Sequence, residues 1–203
     1  MKDLYALFRH TLAGLRVLVA ATVVLGVAYP LLVTGIAQGL LPWRADGSLV
    51  RADGSHTTDP AAAVGSAIVG QTNRDPRLFY PRPSAAGSGY DMTATAGSNY
   101  GPEDPRLIRL IRQRRARIAH REGVTPADVP ADAVTASGSG LDPDISPAYA
   151  ALQVPRVARA NGLTEQQVRD LVAHATSGRT WGVLGASHVD VLLLNIAVRQ
   201  AAH

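Results

Sequence analysis

Two aspartates flank a proline, and a serine follows, in the stretch GLDPDIS from Gly140 to Ser146. Asp142 and Asp144 at this spacing suit a catalytic acid pair or oxygen ligands for a cation. A calcium loop, however, needs more oxygen ligands at regular intervals than the stretch contains. The start of a helix explains the same residues more simply. Oxygens of Asp142, Asp144 and Ser146 would satisfy free N–H groups and the positive end of a helix dipole, with Pro147 at the first helical position. Other chemistries find less support. The histidines at 10, 56, 120, 174, 188 and 203 show neither HxxxH nor HExxH spacing, so no zinc site is expected. Ser187 and His188 are adjacent, which is not how a serine nucleophile usually meets its base, and no G-x-S-x-G elbow is present. There is no G-x-x-x-x-G-K-[ST] loop, and the sole lysine is Lys2. SGSG, residues 137 to 140, could wrap a phosphate with backbone N–H groups, although a flexible turn before Leu141 is the commoner meaning. With zero cysteines, disulfides, thiolate metal sites and cysteine nucleophiles are excluded. No residue is therefore assigned to catalysis or to metal.

The elements that must position these residues begin with a membrane helix. Val17 to Ile36 runs without a charge, and about 20 apolar residues cross the roughly 30 Å hydrocarbon core of a bilayer. Pro30 is expected to kink it. A cleaved signal peptide would have a shorter apolar region ending in a small-residue motif. Here apolar character extends from Leu12 to Leu41, which favours an uncleaved anchor. Lys2, Arg9 and Arg16 precede the span and Arg44 and Arg51 follow it, so the positive-inside rule leans toward a cytoplasmic N-terminus and an extracytoplasmic remainder. The expected division is a short cytoplasmic tail at 1–11, the membrane helix with its interfacial end at 12–41, and one accessory domain at 42–203. The net charge of +4 over 203 residues exerts only a weak pull on nucleic acid or anionic lipid.

Beyond the span, residues 42–60 read as loop or short hairpin, with turns at Asp46-Gly47 and Asp53-Gly54. Ala63 to Gln71 suits a short strand. The segment up to Pro105 carries Pro76, Pro81, Pro83, Pro102 and repeated glycines, so it is expected to be irregular. Its aromatics Phe79, Tyr80, Tyr90 and Tyr100 imply that it packs on something. A helix follows from Asp104, with Leu107, Ile111 and Ile118 at helical spacing and seven arginines between Arg106 and Arg121. These suit a phosphate or nucleic-acid face, but a solvated amphipathic helix with snorkelling arginines accounts for them better, and nucleic acid is not expected as a partner. Ser146 and Thr164 each read as an N-cap, the latter in a capping box with Gln167; Pro155 is expected to kink or restart the first helix and Gly178 to end the second. The apolar stretch HVDVLLLNIAVRQAA is either a strand leading into a helix or a single helix. The expected fold class is α+β, with a single N-terminal transmembrane helix followed by one extracytoplasmic mixed domain.

Several segments in order resemble a known family. They are Tyr29-Pro30 with Gly35 and Gln38; Gly65-Ser66 and Gly70-Gln71; Arg82-Pro83-Ser84; Tyr90; GSNYGP with Ser98, Asn99, Gly101 and Pro102; SGLDPDISP with Gly140, Asp142, Pro143, Asp144 and Ser146; QVPRVARANGL from 153; and VDVLLLNIAV with Asn195. Together they resemble the C subunit of the bacterial high-affinity Kdp-type potassium-transporting ATPase. Thr72-Asn73 depart from the family pattern, where an aromatic is usual, as does Tyr100, where an aliphatic is typical. The resemblance implies a non-catalytic accessory subunit of the cell membrane. Its partners would be a potassium-pore subunit that carries K+, a P-type ATPase subunit that hydrolyses ATP, a small single-span subunit, and membrane lipid. It also implies a catalytic-chaperone role that promotes ATP use, with ATP reached directly or through the complex; no cofactor is assigned to the chain itself. The motif residues are expected to serve packing or assembly. A membrane-anchored extracytoplasmic enzyme is the alternative, and it would need an acid, base and nucleophile set that the sequence does not supply.

Overall fold

The computed structural model describes residues 2–202; Met1 and His203, the last of the six histidines, lie outside the described residues. The chain forms two units, Met1–Gly47 and Ser48–His203.

The first unit is a long helical rod: α1 (Lys2–Ala21), a π-helical stretch (Thr22–Ala28) and α2 (Tyr29–Leu40), closed by the short α3 (Pro42–Ala45). The π-helical stretch sits where Pro30 demands it. Proline has no N–H for the carbonyl four residues back, and its ring clashes there, so the preceding turn widens instead of breaking. The N–H of Tyr29 accordingly reaches Val24 O, five residues back. Asp3–Leu40 spans 38 residues, about 57 Å at the α-helical rise, and its apolar side chains are exposed along its length. Its stretch from Val17 to Ile36, uncharged and with its apolar side chains exposed, suits hydrocarbon rather than water.

The second unit is α+β. β1 (Leu49–Val50) pairs antiparallel with β2 (His56–Thr57) through the turn at Asp53-Gly54, and with β3 (Gly65–Ser66) on its other edge. No helix or strand lies between Ser66 and Pro105. α4 (Pro105–Glu122) starts at Asp104, whose carboxylate accepts from Arg106 N–H, and ends at Gly123 in the left-handed region. After α5 (Ala131–Val134) come β4 (Asp144–Ile145), α6 (Pro147–Asn161), α7 (Glu165–His174), β5 (Thr176–Ser177), β6 (His188–Asp190) and α8 (Val191–Ala201). A second sheet has the order β4-β6-β5, all antiparallel. The core lies among α4, α6, α7, α8 and this sheet, and is built from Ile118, Tyr149, Val154, Val157, Val168, Val189 and Leu194, with Phe79 from the irregular segment.

Two local expectations change, and one open alternative is decided. Pro155 does not restart α6, which is unbroken from Pro147 to Asn161. The carbonyl that Pro155 leaves unbonded belongs to Ala151, which faces solvent. Meanwhile Ala150, Val154, Val157 and Ala158 hold the other face in the core, so burial offsets the roughly 3 kcal/mol cost of an internal proline. α7 stops at His174, short of Gly178, because Thr176 and Ser177 pair with β6. The C-terminal stretch resolves into a strand followed by a helix, with Asp190 as the cap: its carboxylate accepts from Leu193 N–H at 2.8 Å.

Candidate functional site

The family-motif residues of the second unit meet where the irregular segment crosses the approach to β4. The backbones come together first. Gly70 N–H donates to Leu141 O at 2.7 Å. A Cβ on Gly70 would stand 2.5 Å from Asp142 O and 2.4 Å from the Tyr90 ring. Gly140 has φ of +72°, and a Cβ there would lie 2.7 Å from Ala86 N and 2.9 Å from Ala96 O. Both glycines are thus required by close approach, and Gly140 also by its backbone conformation.

Side chains then lock the crossing. Arg82 forms an ion pair with Asp142 at 2.7 Å and donates to Thr135 O. Ser84 Oγ donates to Gly140 O at 2.6 Å and accepts from the N–H groups of Ala86 and Tyr90. Tyr90 itself has φ of +56°, a strained conformation for an aromatic residue. Its phenol donates to Arg82 O at 2.8 Å. Burial, then the charge of Asp142, raises the pKa of that phenol, so the donor proton stays in place. Gln71 lies over Gly65, where a Cβ would meet its side-chain amide.

The acid pair separates into two jobs. Asp142 Oδ1 accepts from Asp144 N–H and Oδ2 binds Arg82, so Asp142 ties loops together instead of capping α6. Asp144 belongs to β4, opposite Asp190, with His188 Nε2 at 3.8 Å. Only Ser146 performs the expected capping: its Oγ accepts from Tyr149 N–H at 3.0 Å and donates to Asp132 Oδ1 at 2.8 Å. Pro143 accepts at its carbonyl from Val191 N–H. The expectation of one helix start for all three oxygens is corrected, because Arg82 is 60 residues distant in sequence and competes for Asp142.

Asn195 has the longest reach. Its Oδ1 accepts from Phe79 N–H at 2.7 Å and its Nδ2 donates to Phe79 O at 3.0 Å. Gln153 does the same for Tyr80, at 2.8 and 3.2 Å. Arg156 donates to the carbonyls of Pro76 and Leu78, and Asn161 to that of Arg77. A segment without ladders still needs partners for its buried backbone groups, and four side chains from α6 and α8 supply them. Gln153, Arg156 and Asn161 fall within the QVPRVARANGL motif, yet spacing alone gives no sign of this role. Their signal is that hydrogen-bonding side chains, two amides and a guanidinium, recur on a helix that otherwise buries apolar residues.

Ser98, Asn99, Gly101 and Pro102 are not drawn into this junction. Asn99 takes a left-handed turn with φ of +52°, and the stretch leads to α4, where Arg106 stacks on Tyr100 at 4.7 Å. Tyr29 and Pro30 lie on the helical rod. Beside the junction a cleft of about 230 Å³ opens between Gly70, Gln71, Pro143 and Asn195; Arg199 is the charged group in its lining.

The carboxylates at the β4–β6 edge predict a pH dependence. Burial pushes Asp190 up to about 6, against the Leu193 N–H, with Asp144 adding to the rise and Leu192 N–H and His188 opposing it. Burial likewise raises Asp144, with His188 opposing and Asp142 reinforcing. A carboxyl whose folded pKa exceeds its unfolded value near 4 contributes fully below about pH 4, and that stability is lost as pH rises toward 6. Asp190→Asn keeps an acceptor for Leu193 without the charge. Thermal melts of the full chain from pH 4 to pH 8 should show it more stable than the wild type above pH 6, by on the order of 1–2 kcal/mol after solvent screening. The gap should close near pH 4. An unchanged gap across that range would mean that Asp190 does not titrate there.

The family model described as "K+-transporting ATPase, c chain" matches residues 11–200. The chain is 50% identical over 196 residues to the potassium-transporting ATPase KdpC subunit of Kineococcus radiotolerans, covering 97% of this chain and 96% of that one. It is 51% identical over 195 residues to the KdpC subunit of Sorangium cellulosum, covering 95% and 98%. Against the KdpC subunit of Streptomyces coelicolor the identity is 43% over 209 residues, covering 92% and 90%. Matches of this extent, spanning both the apolar rod and the motif junction, make the chain a member of the KdpC family of K+-transporting ATPase c chains.

Proposed function

We propose that this chain is a non-catalytic accessory subunit that holds an ATP-driven potassium-uptake complex together and promotes ATP use indirectly. Residues 12–41 would cross the membrane beside a potassium-pore subunit that carries K+, with a P-type ATPase subunit and a small single-span subunit completing the assembly. Residues 1–11 would be cytoplasmic and residues 42–203 extracytoplasmic. The observation that carries this reading is how the motif residues are used. Asp142, Ser84, Ser146 and Asn195 commit their polar atoms to Arg82, to Asp132 and to backbone, so they build a rigid shape and not a reacting centre. A domain outside the membrane cannot touch cytoplasmic ATP, and the membrane helix is then the route by which it favours ATP use.

Two surfaces support docking. On α2, Gly35 and Gly39 stand one turn apart with nothing within 4 Å of either missing Cβ, a small-residue face of the kind that lets membrane helices approach closely. On the second unit, the turn at 180–184 holds out Trp181, 87% exposed, with Val183 and Leu184 beside it. Exposed tryptophans of this kind are enriched among the residues that dominate interfaces.

Co-purification with the pore and ATPase subunits tests the reading. Gly35→Leu with Gly39→Leu should reduce recovery of the complex at least tenfold, and Trp181→Ala should reduce it several-fold while leaving the thermal melt of the isolated chain unchanged. Full recovery with both sets of changes would overturn the docking assignment. Because the chain has no cysteine, Ala94→Cys gives a single label site. It should react with an impermeant maleimide in intact cells; reaction only after lysis would reverse the topology.

A further inference from the structure

Seven arginines on α4 and its end do not share one environment. Arg109 and Arg112 face water, and Arg106 is held by Asp104 at 2.7 Å. Arg114, Arg117 and Arg121 instead line a cavity of about 340 Å³ between α4 and the irregular segment. Their spacing of three and four residues puts them on one helix face. Arg82 lines the cavity from the other side, where Ser88 and Tyr90 add neutral polar groups.

The charges do not balance. Arg82 is paired with Asp142, and Arg121 shares Glu122 with Arg156. Arg114 donates to Val134 O at 3.0 Å. Among the described residues, neither Arg114 nor Arg117 has a carboxylate within ion-pair distance. Burial, then the nearby charge of Arg117, lowers the pKa of Arg114, so the partly buried Arg114 lies against the like charge of the exposed Arg117. Guanidinium forks match the oxygen spacing of phosphate and carboxylate. An anion with two charges and oxygens on several sides would bridge both forks and balance both charges, whereas a single carboxylate can bridge two guanidiniums, as Glu122 does, but brings only one charge. The volume falls within the range of small-ligand sites.

We propose that this cavity binds a tetrahedral phosphate group, gripped by Arg114 and Arg117 with Arg121 behind them. The group is either free phosphate or the head of an anionic phospholipid. Binding would fix α4 to the irregular segment and thereby stiffen the same face that Ser84, Tyr90 and Asp142 organise. This goes beyond the accessory role and does not depend on it.

The full chain in phosphatidylcholine nanodiscs, titrated with inorganic phosphate against chloride at matched ionic strength, provides the test. Calorimetry should show saturable binding, and the melting temperature should rise with it. Arg117→Gln, at an exposed position, should weaken phosphate about tenfold, as expected for one lost charge-assisted contact. Arg114→Gln with Arg117→Gln should abolish the response, whereas Arg109→Gln with Arg112→Gln should leave it unchanged. Since Arg114→Gln also loses the bond to Val134, Arg114→Lys is the companion variant and should retain part of the affinity. In phosphatidylglycerol nanodiscs without phosphate, stabilisation that depends on Arg114 and Arg117 identifies the lipid head as the source; stabilisation only with added phosphate identifies the free anion. The proposal is overturned if neither ligand gives a saturable response. It is also overturned if the outward pair of substitutions weakens that response as much as the inward pair, which would indicate diffuse screening.

Discussion

Gly140→Ala is expected to destabilise the C-terminal domain by roughly 2–5 kcal/mol. Two costs add. A side chain in the left-handed region costs about 1–2 kcal/mol, and Gly140 has φ of +72°. Forcing atoms into a filled space costs about 1–3 kcal/mol, and the new methyl would stand 2.7 Å from Ala86 N, 2.8 Å from Ala86 Cβ and 2.9 Å from Ala96 O. Two of these neighbours are backbone, so they cannot swing aside as a flexible side chain would. The total is a large fraction of the 5–15 kcal/mol that typically holds a domain together. Gly138→Ala is the matched control: the site is two residues away and nothing lies within 4 Å of its missing Cβ, so its melt should stay within about 0.5 kcal/mol of wild type. If the two variants melt alike, the close approach at Gly140 does not exist in solution. Where Gly140→Ala melts lower than its control and it alone loses the complex, assembly depends on the shape of this crossing.

The crossing also marks where local sequence reasoning stops. Helical spacing, caps and proline placement suffice to locate α4, α6 and α7, and the capping box of Thr164 and Gln167 forms as the sequence suggests. These signals work because they act over one turn of chain. The fate of Asp142 does not, because a short-range preference for helix N–H groups competes with an arginine 60 residues away that no pattern announces. Likewise, the proline-rich stretch to Pro105 is legible as irregular, whereas the side chains that hold it come from α6 and α8. Phe79 and Asn195 are 116 residues apart. The arginines of α4 show a third limit. Counting them suggested a solvated face, but Arg121 packs over Tyr80 at 3.9 Å and donates to Tyr149. Composition gives the number of charges; only the partner surface decides which of them turn inward.

Glu122→Ala should be the most damaging change of charge in the domain, at roughly 3–5 kcal/mol, because removing one member of a buried ion pair leaves the other uncompensated. The Glu122 side chain is 0% exposed and serves two guanidiniums, Arg121 Nε at 2.5 Å and Arg156 Nε at 2.9 Å. Glu122→Gln keeps one acceptor and should lose less. The consequence should extend beyond α4, since Arg156 also holds the carbonyls of Pro76 and Leu78 and the Oε1 of Gln153. Gln153 in turn holds Tyr80 N–H. Freed from Glu122, Arg156 would be drawn toward water, and the backbone from Pro76 to Tyr80 would lose its clamp. Amide hydrogen exchange reads this directly. Tyr80 N–H should exchange at least a hundredfold faster in Glu122→Ala, the rate equivalent of about 3 kcal/mol. Phe79 N–H, held separately by Asn195, should accelerate less. Equal acceleration of both would indicate global unfolding, and unchanged exchange at Tyr80 would show that Glu122 stabilises only the end of its own helix.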